Sequence, residues 1–164
     1  MGLNTAGTGT GDIILRHAEP EDIPGVRSLF MEYREFLEED LGFQHFQEEL
    51  DSLPGEYAPP VGALLVAGHG GRTAGCVAMR RVDGKTCEMK RLFVRPAFRG
   101  HGIGRALAEA IVNEARAAGY ATMVLDTLDR LHGAMNLYES MGFRRTGPYY
   151  INPLDGVVYW RMDL

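Results

Sequence analysis

The stretch that decides the fold runs from Leu92 to Arg105 and reads LFVRPAFRGHGIGR. Its first residues are apolar and predict a strand, which Pro96 ends. Glycines follow at positions 100, 102 and 104, and from Ile103 apolar residues recur at helical spacing as far as Gly119. The pattern therefore predicts a strand, a glycine-rich turn and an amphipathic helix.

Such a turn places backbone N–H groups at the positive end of a helix dipole, where phosphate groups bind. Glycine is needed there because a Cβ would obstruct both the tight turn and the close approach of a ligand. Two familiar phosphate-binding loops do not match this stretch. The dinucleotide fingerprint lacks its third glycine, and the Gly-Lys-Ser/Thr of the Walker loop is absent.

Outward from this stretch, the chain alternates between the two periodicities of strands and helices. Asp83-Gly84 predicts a hairpin, because both residues tolerate the positive φ of a tight turn. Strands are predicted over residues 13–16, 61–67, 73–82, 85–94, 121–126, 143–146 and 157–164, and helices from Pro20 to Leu37 and over 46–53, 103–118 and 132–141. This order predicts an α/β domain with a mixed, mostly antiparallel twisted sheet and helices on both faces.

Composition narrows the class of protein further. Of the 164 residues, 45% are hydrophobic and 24% charged, which is typical of one globular domain. We expect a flexible segment over residues 1–11, without the features of a signal peptide, and a single domain over 12–164. No apolar run approaches the roughly 18 residues of a membrane span. Cys76 and Cys87 lack disulfide or metal-ligand spacing, so we expect no metal and a cytoplasmic location.

Charge is unevenly distributed along the chain. The net charge of −5 disfavours nucleic acid as the main partner. Residues 32–51 contain eight acidic residues and one basic residue, a net of −7, whereas residues 80–105 contain eight basic and two acidic residues, a net of +6. These segments are consistent with an anionic ligand on one side and a cationic ligand on the other, or simply with two solvated faces.

The glycine-rich stretch resembles the central motif of the GNAT N-acetyltransferase superfamily, R/Q-x-x-G-x-G/A, through Arg99, Gly102 and Gly104. A second block, AMNLYESMGF over residues 134–143, resembles the A-x-x-L-Y-x-x-x-G-F block of that family. The resemblance covers about residues 12–164 and implies the acyl-CoA N-acyltransferase fold. One departure is Leu131, where members of the family often have an asparagine that contacts the cofactor or the backbone.

The resemblance implies that the protein binds acetyl-CoA as co-substrate. Backbone N–H groups of the turn would hold its pyrophosphate, and the end of the preceding strand would lie along its pantetheine arm. The implied cofactor-binding residues are Leu92, Phe93, Val94, Arg99, Gly100, His101, Gly102, Ile103, Gly104 and Arg105. The basic segment is consistent with the phosphate charges of CoA.

The implied reaction is direct transfer of an acetyl group from the thioester to an amine in a ternary complex. Alkyl amines are almost wholly protonated at pH 7, so a base or a water relay must remove a proton. Glu88 is the candidate base. Period-two alternation places it on the same face as Val94, and its spacing resembles that of the general-base glutamate in the histone acetyltransferase branch of the superfamily. Ordered water and a structural ion pair are the alternatives. Tyr138 occupies the position of the family's general-acid tyrosine, although a core tyrosine is the alternative. His101 and His132 are interpreted as turn residues.

The family's acceptor pocket is lined by the first two helices and the last two strands. Here these regions provide the acidic segment and four candidate substrate residues, Tyr57, Tyr149, Tyr150 and Asn152, an acidic and aromatic set that suits a cationic amine. A primary amine of a small molecule or peptide is the expected acceptor. A lysine or N-terminus of a protein, and a non-catalytic acyl-CoA-binding module, remain as alternatives. Residues 157–164 form a candidate edge strand that could pair two copies in a homodimer.

Overall fold

The computed structural model describes residues 3–6 and 12–164. Eight strands form one sheet: β1 (Leu3–Ala6), β2 (Ile13–His17), β3 (Ala63–His69), β4 (Arg72–Arg81), β5 (Thr86–Val94), β6 (Thr122–Leu128), β7 (Arg144–Thr146) and β8 (Val157–Asp163). Four α-helices accompany them: α1 (Ile23–Leu37), α2 (Phe46–Ser52), α3 (Ile103–Ala117) and α4 (His132–Met141). Short 3-10 turns precede α1 to α3 and follow α2.

The strands lie in the order β1-β2-β3-β4-β5-β6-β8-β7. Among the described strands, β5 and β6 form the single parallel pair, and the remaining pairs are antiparallel. A parallel pair requires a crossover connection, which α3 provides. The predicted class, a mixed and mostly antiparallel sheet, is confirmed.

Each face of the sheet is covered by helices. On one face, Ile103, Leu107 and Ile111 of α3 pack with Tyr138 of α4 over the sheet. On the other, Leu29 and Phe30 of α1 and Phe46 of α2 form a second buried cluster. Apolar residues spaced three and four apart produce these helix faces, so the sequence pattern predicted the arrangement.

The edges of the sheet differ from expectation at two places. Within the segment expected to be flexible, residues 3–6 form β1, which pairs with β2; the rest of that prediction lies outside the described residues. Residues 157–163 are not an edge strand, because β8 lies between β6 and β7. The reason is that β7 reverses onto β8 over three residues and covers part of its outer edge. In the described chain no helix combines the length and apolar character of a membrane span.

Candidate active site

The sheet opens between its two central strands. The parallel ladder between β5 and β6 contains three residue pairs, from Thr86–Thr122 to Glu88–Val124, after which the strands diverge. A cavity of about 600 Å³ occupies the opening. Its walls are residues 89–94 of β5, residues 125–128 of β6, the C-terminal half of α1 and the start of α4. The cavity thus reaches from one face of the sheet to the other.

A β-bulge in β5 explains why the strands part. Cys76 pairs with Phe93 and Ala78 with Lys90, so two residues of β5 oppose one residue of β4. Arg91, the first of these two, has a φ of 61°, in the left-handed region. A bulge bends its strand and increases its twist, which directs the end of β5 away from β6.

The bulge also changes which side chains share a face. Phe93 packs in the cluster beneath α1 and α2, whereas Val94 packs toward α3. Glu88 pairs across from Arg80, and its neighbours Cys87 and Met89 belong to the α3 side. Glu88 therefore faces α1 and α2 with Phe93, and the prediction that it shares a face with Val94 is wrong. The extra residue at the bulge shifts the alternation by one.

Arg91 is held by an ion pair that fastens α2 to the sheet. Its guanidinium Nε and Nη2 donate to the carboxylate of Glu49 at 2.9 and 3.0 Å, and it lies over the ring of Phe46 at 5.3 Å. Both side chains are almost fully buried. Burial acts to raise the pKa of Glu49, but the hydrogen bonds and charge of Arg91 outweigh it and lower that pKa below its usual value.

Removing one partner of this pair should destabilise the fold. We expect Arg91→Met to lower the free energy of unfolding by about 3 kcal/mol, because it leaves the buried Glu49 carboxylate without a counterion. Urea denaturation at pH 7 measures the change. Arg144→Met is the matched control, since the pair of Arg144 with Asp163 is exposed and worth less than about 1 kcal/mol. Equal stabilities of the two variants would contradict a stabilising role for the buried pair.

Two ion pairs join the acidic segment (residues 32–51) to the basic segment (residues 80–105). Besides Glu49 with Arg91, Glu32 of the acidic segment binds Arg95 of the basic segment at 2.8 Å. These two contacts place Arg91 and Arg95 of the basic segment against α2 and α1, where Glu49 and Glu32 neutralise them. The expectation of separate anionic and cationic ligand surfaces therefore does not hold for these residues.

The turn before α3 has the geometry expected of an anion-binding loop. Gly100 and Gly102 have φ angles of 85° and 78°, and a Cβ at either position would point into open space. The first backbone hydrogen bond of α3 is donated by the N–H of Ala106 to the carbonyl of Gly102 at 3.0 Å. Within the described chain, the N–H groups of residues 100–105 have no backbone acceptor. These groups are free to bind a ligand at the positive end of the helix.

The other predicted residues of the turn are held in place by contacts with neighbouring side chains and backbone. Arg99 donates from Nε to the carbonyl of Val94 at 3.0 Å and lies over the ring of Phe36 at 4.6 Å. Arg105 donates to Ser140 Oγ at 2.6 Å, which ties α3 to α4. The ring of His101 lies 5.0 Å from that of His69, and Ile103 is buried in the core. Of the predicted cofactor-binding residues, Leu92, Phe93, Val94, Arg99 and Gly104 line the cavity.

Tyr138 reaches the cavity from the α3 side of the sheet. The residue is buried, lines the cavity and packs against Phe143 and Trp160. Burial, with smaller contributions from Tyr33 and Asp126 on the opposite wall, raises the pKa of its phenol. Tyr138 is therefore protonated at neutral pH and can act as a proton donor to a group in the cavity.

Asp126 is the carboxylate that sequence analysis missed. It lies on β6 just after the strands part, and it lines the cavity. Its Oδ2 accepts hydrogen bonds from the hydroxyl of Tyr150 and, at 2.8 Å, from Nδ2 of Asn152. Two of the predicted substrate residues thus hold this carboxylate in place, and Asn152 also lines the cavity. In the sequence, the signal that could have pointed to Asp126 as a site residue was its position after a buried run, near the end of a predicted strand.

Glu88 and Tyr57 do not line the cavity. The carboxylate of Glu88 is 0% exposed and accepts a hydrogen bond from Nε of Arg80 at 2.7 Å and another from the hydroxyl of Tyr149. Burial, followed by the charge of Glu88, raises the pKa of Tyr149. Tyr57 is a core residue that meets the ring of Phe30 edge-on. Tyr57 therefore leaves the predicted substrate set, because it packs in the core and does not line the cavity.

Leu131, the departure from the family pattern, also lines the cavity. It precedes α4, and its carbonyl accepts the N–H of Met135 at 3.1 Å. An apolar side chain thus stands where the family often has an amide. The described part of the chain shows no grouping of three or more potential metal ligands.

The comparisons with known proteins agree with this geometry. The model of the acetyltransferase (GNAT) family matches residues 23–143. An uncharacterised N-acetyltransferase of Schizosaccharomyces pombe is 44% identical over 147 residues, which cover 88% of this chain and 90% of the relative. The chain belongs to the acetyltransferase (GNAT) family.

Solved structures show the same fold. An acetyltransferase from Streptococcus agalactiae superposes with a TM-score of 0.78 at 23% identity, covering 93% of this chain and 98% of that one. A structure from Salmonella typhimurium, described as an acetyltransferase with its cofactor acetyl-CoA, has a TM-score of 0.71 at 19% identity and covers 92% of this chain and 93% of its own. At these identities the likeness concerns the fold alone.

Proposed function

We propose that the protein is an acetyl-CoA-dependent N-acetyltransferase whose acceptor is the primary amine of a small molecule. The observation that supports this most directly is the cavity between β5 and β6, which is lined by Arg99 and Gly104 of the turn whose N–H groups have no backbone acceptor in the described chain. A protein of the same fold carries acetyl-CoA in its structure. We retain a cytoplasmic location as part of the proposal, since Cys76 and Cys87 are free thiols.

The residues of the opening fit acetyl-CoA in shape and chemistry. The N–H groups of residues 100–105 would bind its pyrophosphate oxygens, because anions are stabilised at a helix N-terminus. The diverging end of β5, residues 92–94, leaves a side free of β6 along which an extended amide chain can lie. Bound there, acetyl-CoA would supply an acetyl thioester whose C–S bond breaks as the new N–C bond forms.

Two cavity side chains have the chemistry that the transfer requires. Asp126 would accept the proton that an ammonium group must lose before its nitrogen becomes a nucleophile. Tyr138, which like any tyrosine is protonated at neutral pH, would donate a proton to the departing sulfur. Burial raises the pKa of its phenol, so the transfer depends on close placement of the hydroxyl beside the sulfur. The second proton leaving the nitrogen as the amide forms restores the phenol. Asp126 replaces Glu88 as our proposed base because it, and not Glu88, lines the cavity.

The closure of the cavity favours a small acceptor over a protein chain. Asn152 and Leu154, from the connection between β7 and β8, form one wall, while Leu41 and Gln44, which follow α1, form another. Gln44 donates from Nε2 to the hydroxyl of Tyr150 at 3.0 Å and so joins the two connections across the opening. A folded protein segment would have to separate them.

Calorimetric titration with acetyl-CoA tests the cofactor, with CoA and NADH as comparators. We expect one-to-one binding of acetyl-CoA and none of NADH. Gly102→Ala should weaken acetyl-CoA binding at least tenfold, because its Cβ points into the space where phosphate would lie. Gly119→Ala is the matched control, since Gly119 also has a positive φ, 88°, and open space but lies beyond α3. Failure of acetyl-CoA to bind would overturn the proposed function.

A further inference from the structure

Lys90 is a cationic residue of the cavity wall that the charges of Glu88 and Asp126 influence without forming an ion pair with it in the described chain. Its side chain is 7% exposed and lines the cavity wall. Among the described residues, no ion pair within 4.0 Å and no side-chain hydrogen bond involves it, although Glu88 lies on the same face of β5. Burial is the main cause that lowers its pKa from 10.5 to about 8. In the described chain, the fully buried side-chain polar atoms without a hydrogen-bond partner are Gln44 Oε1 and Trp160 Nε1. The ammonium nitrogen of Lys90 is therefore not sealed from the cavity and can meet a charged group of a ligand that enters it.

The remaining cations around the cavity are already satisfied. Arg91 is paired with Glu49, and Arg99 is bonded to the carbonyl of Val94 and stacked on Phe36. Arg130 donates to the carbonyl of Leu37 and lies 3.7 Å from Glu39. Lys90 is therefore the cation among the described cavity residues that remains available to a ligand in the cavity.

Across the opening from Lys90 stands the carboxylate of Asp126. Glu88 of β5 pairs with Val124 of β6, and each charged residue lies two positions further along its strand, on the same face. Asp126 uses its Oδ2 on the neutral partners Tyr150 and Asn152 and forms no ion pair within the described chain. The cavity thus presents one positive and one negative group on facing strands.

We propose that the acceptor is an amino acid-like molecule, whose carboxylate is bound by Lys90 and whose amine is presented at Asp126. The inference rests on the proposed function and names the substrate class of the same site. Opposite charges on neighbouring strands match a molecule that carries an amine and a carboxylate a few bonds apart. Tyr33, Phe36 and Phe93 line the same cavity and suit an apolar side chain.

The same charges argue against a purely cationic acceptor. A polyamine would bring further positive charge next to Lys90 and Arg91, both of which line the cavity. Like charges held close together repel one another. A carboxylate on the acceptor removes this repulsion and supplies the missing counterion.

Matched acceptor pairs test the proposal. The probes are leucine, methionine and phenylalanine, each compared with the amine left when its carboxyl group is removed. Release of the CoA thiol gives kcat/KM, and calorimetry on CoA-saturated protein gives binding when turnover is absent. We expect at least one amino acid to be favoured tenfold or more over its amine, a preference that falls to about one in Lys90→Met and is partly kept in Lys90→Arg.

Controls separate this inference from the proposed function. Lys90→Met should fold, because the Lys90 side chain forms no ion pair or hydrogen bond within the described chain and methionine is similar in length. The variant should bind acetyl-CoA as tightly as the wild type. Arg130→Met, which removes a satisfied cation from the same cavity, should keep the preference. The inference would be overturned if Lys90→Met lowered kcat/KM equally for an amino acid and its amine. It would also be overturned if the wild type preferred the amines, or if its binding of the acceptor did not depend on the carboxylate. Loss of acetyl-CoA binding in the wild type would instead overturn the proposed function.

Discussion

Tyr138→Phe is expected to lower kcat by about 10²–10⁴, the range typical of a group that transfers a proton. The phenol lines the cavity and is protonated at neutral pH, so its hydroxyl is a donor available to the departing sulfur from the α3 side. The ring stays in place against Phe143 and Trp160. We therefore expect the acetyl-CoA dissociation constant, measured by calorimetry, to stay close to the wild-type value.

Tyr120→Phe is the matched control for this experiment. Tyr120 is also a buried tyrosine, but its hydroxyl donates to the carbonyl of Val61 at 2.6 Å, away from the cavity. The free energy of unfolding of this variant should fall by about 1 kcal/mol because the hydrogen bond is missing, whereas its kcat should stay at the wild-type value. If Tyr138→Phe also retained kcat, Tyr138 would be a core residue, the alternative that the sequence left open.

Asp126→Asn should reduce kcat/KM at pH 7 by about 10²–10³, because the variant lacks the carboxylate that accepts the amine proton. The loss should shrink as the pH rises, since the fraction of acceptor that is already deprotonated increases tenfold per pH unit below the pKa of the amine. The amide of asparagine can still accept hydrogen bonds from Tyr150 and Asn152, so we expect the fold to persist. The pH profile of kcat/KM is the measurement.

Glu88→Gln decides between the two carboxylates. Its carboxylate is bound to Arg80 and Tyr149 outside the cavity, so the variant should lose stability, by leaving the charge of Arg80 with a weaker partner. Any decrease in kcat/KM should be the same at all pH values. The opposite result would refute our assignment and support the one made from the sequence. In that result, Glu88→Gln would lower kcat/KM at pH 7 but not at high pH, and Asp126→Asn would leave kcat/KM unchanged.

Much of the fold could be predicted because its signals are local. Apolar spacing predicted α1, α3 and α4, with the bounds of α4 at His132 and Met141 matching the structure. Asp83 caps the predicted hairpin by accepting the backbone N–H groups of Lys85 and Thr86 at 2.9 Å. The four-residue β1 was missed, because a short strand in a Gly/Thr-rich segment carries no periodic pattern.

The candidate site was harder to predict because its geometry depends on one residue of register. Alternation assigned Glu88 to the face of Val94, but the bulge at Arg91 inverts that relation. Asp126 carries no motif of its own and becomes a site residue where β5 and β6 part. Tyr57 is an aromatic residue near a predicted turn, and whether it lines a pocket or the core depends on how Phe30 packs.

The sequence by itself determined the class of the protein and the position of its glycine-rich turn. Both follow from residues close together in the chain, the glycines of residues 100–104 above all, whose conformational freedom is a local property. The tertiary structure alone decided which charges remain free. Glu49 and Arg91 are 42 residues apart, and Glu32 and Arg95 are 63 apart, so no local pattern reveals that they neutralise each other. Lys90, left unpaired inside the cavity, is visible only after those pairs have formed.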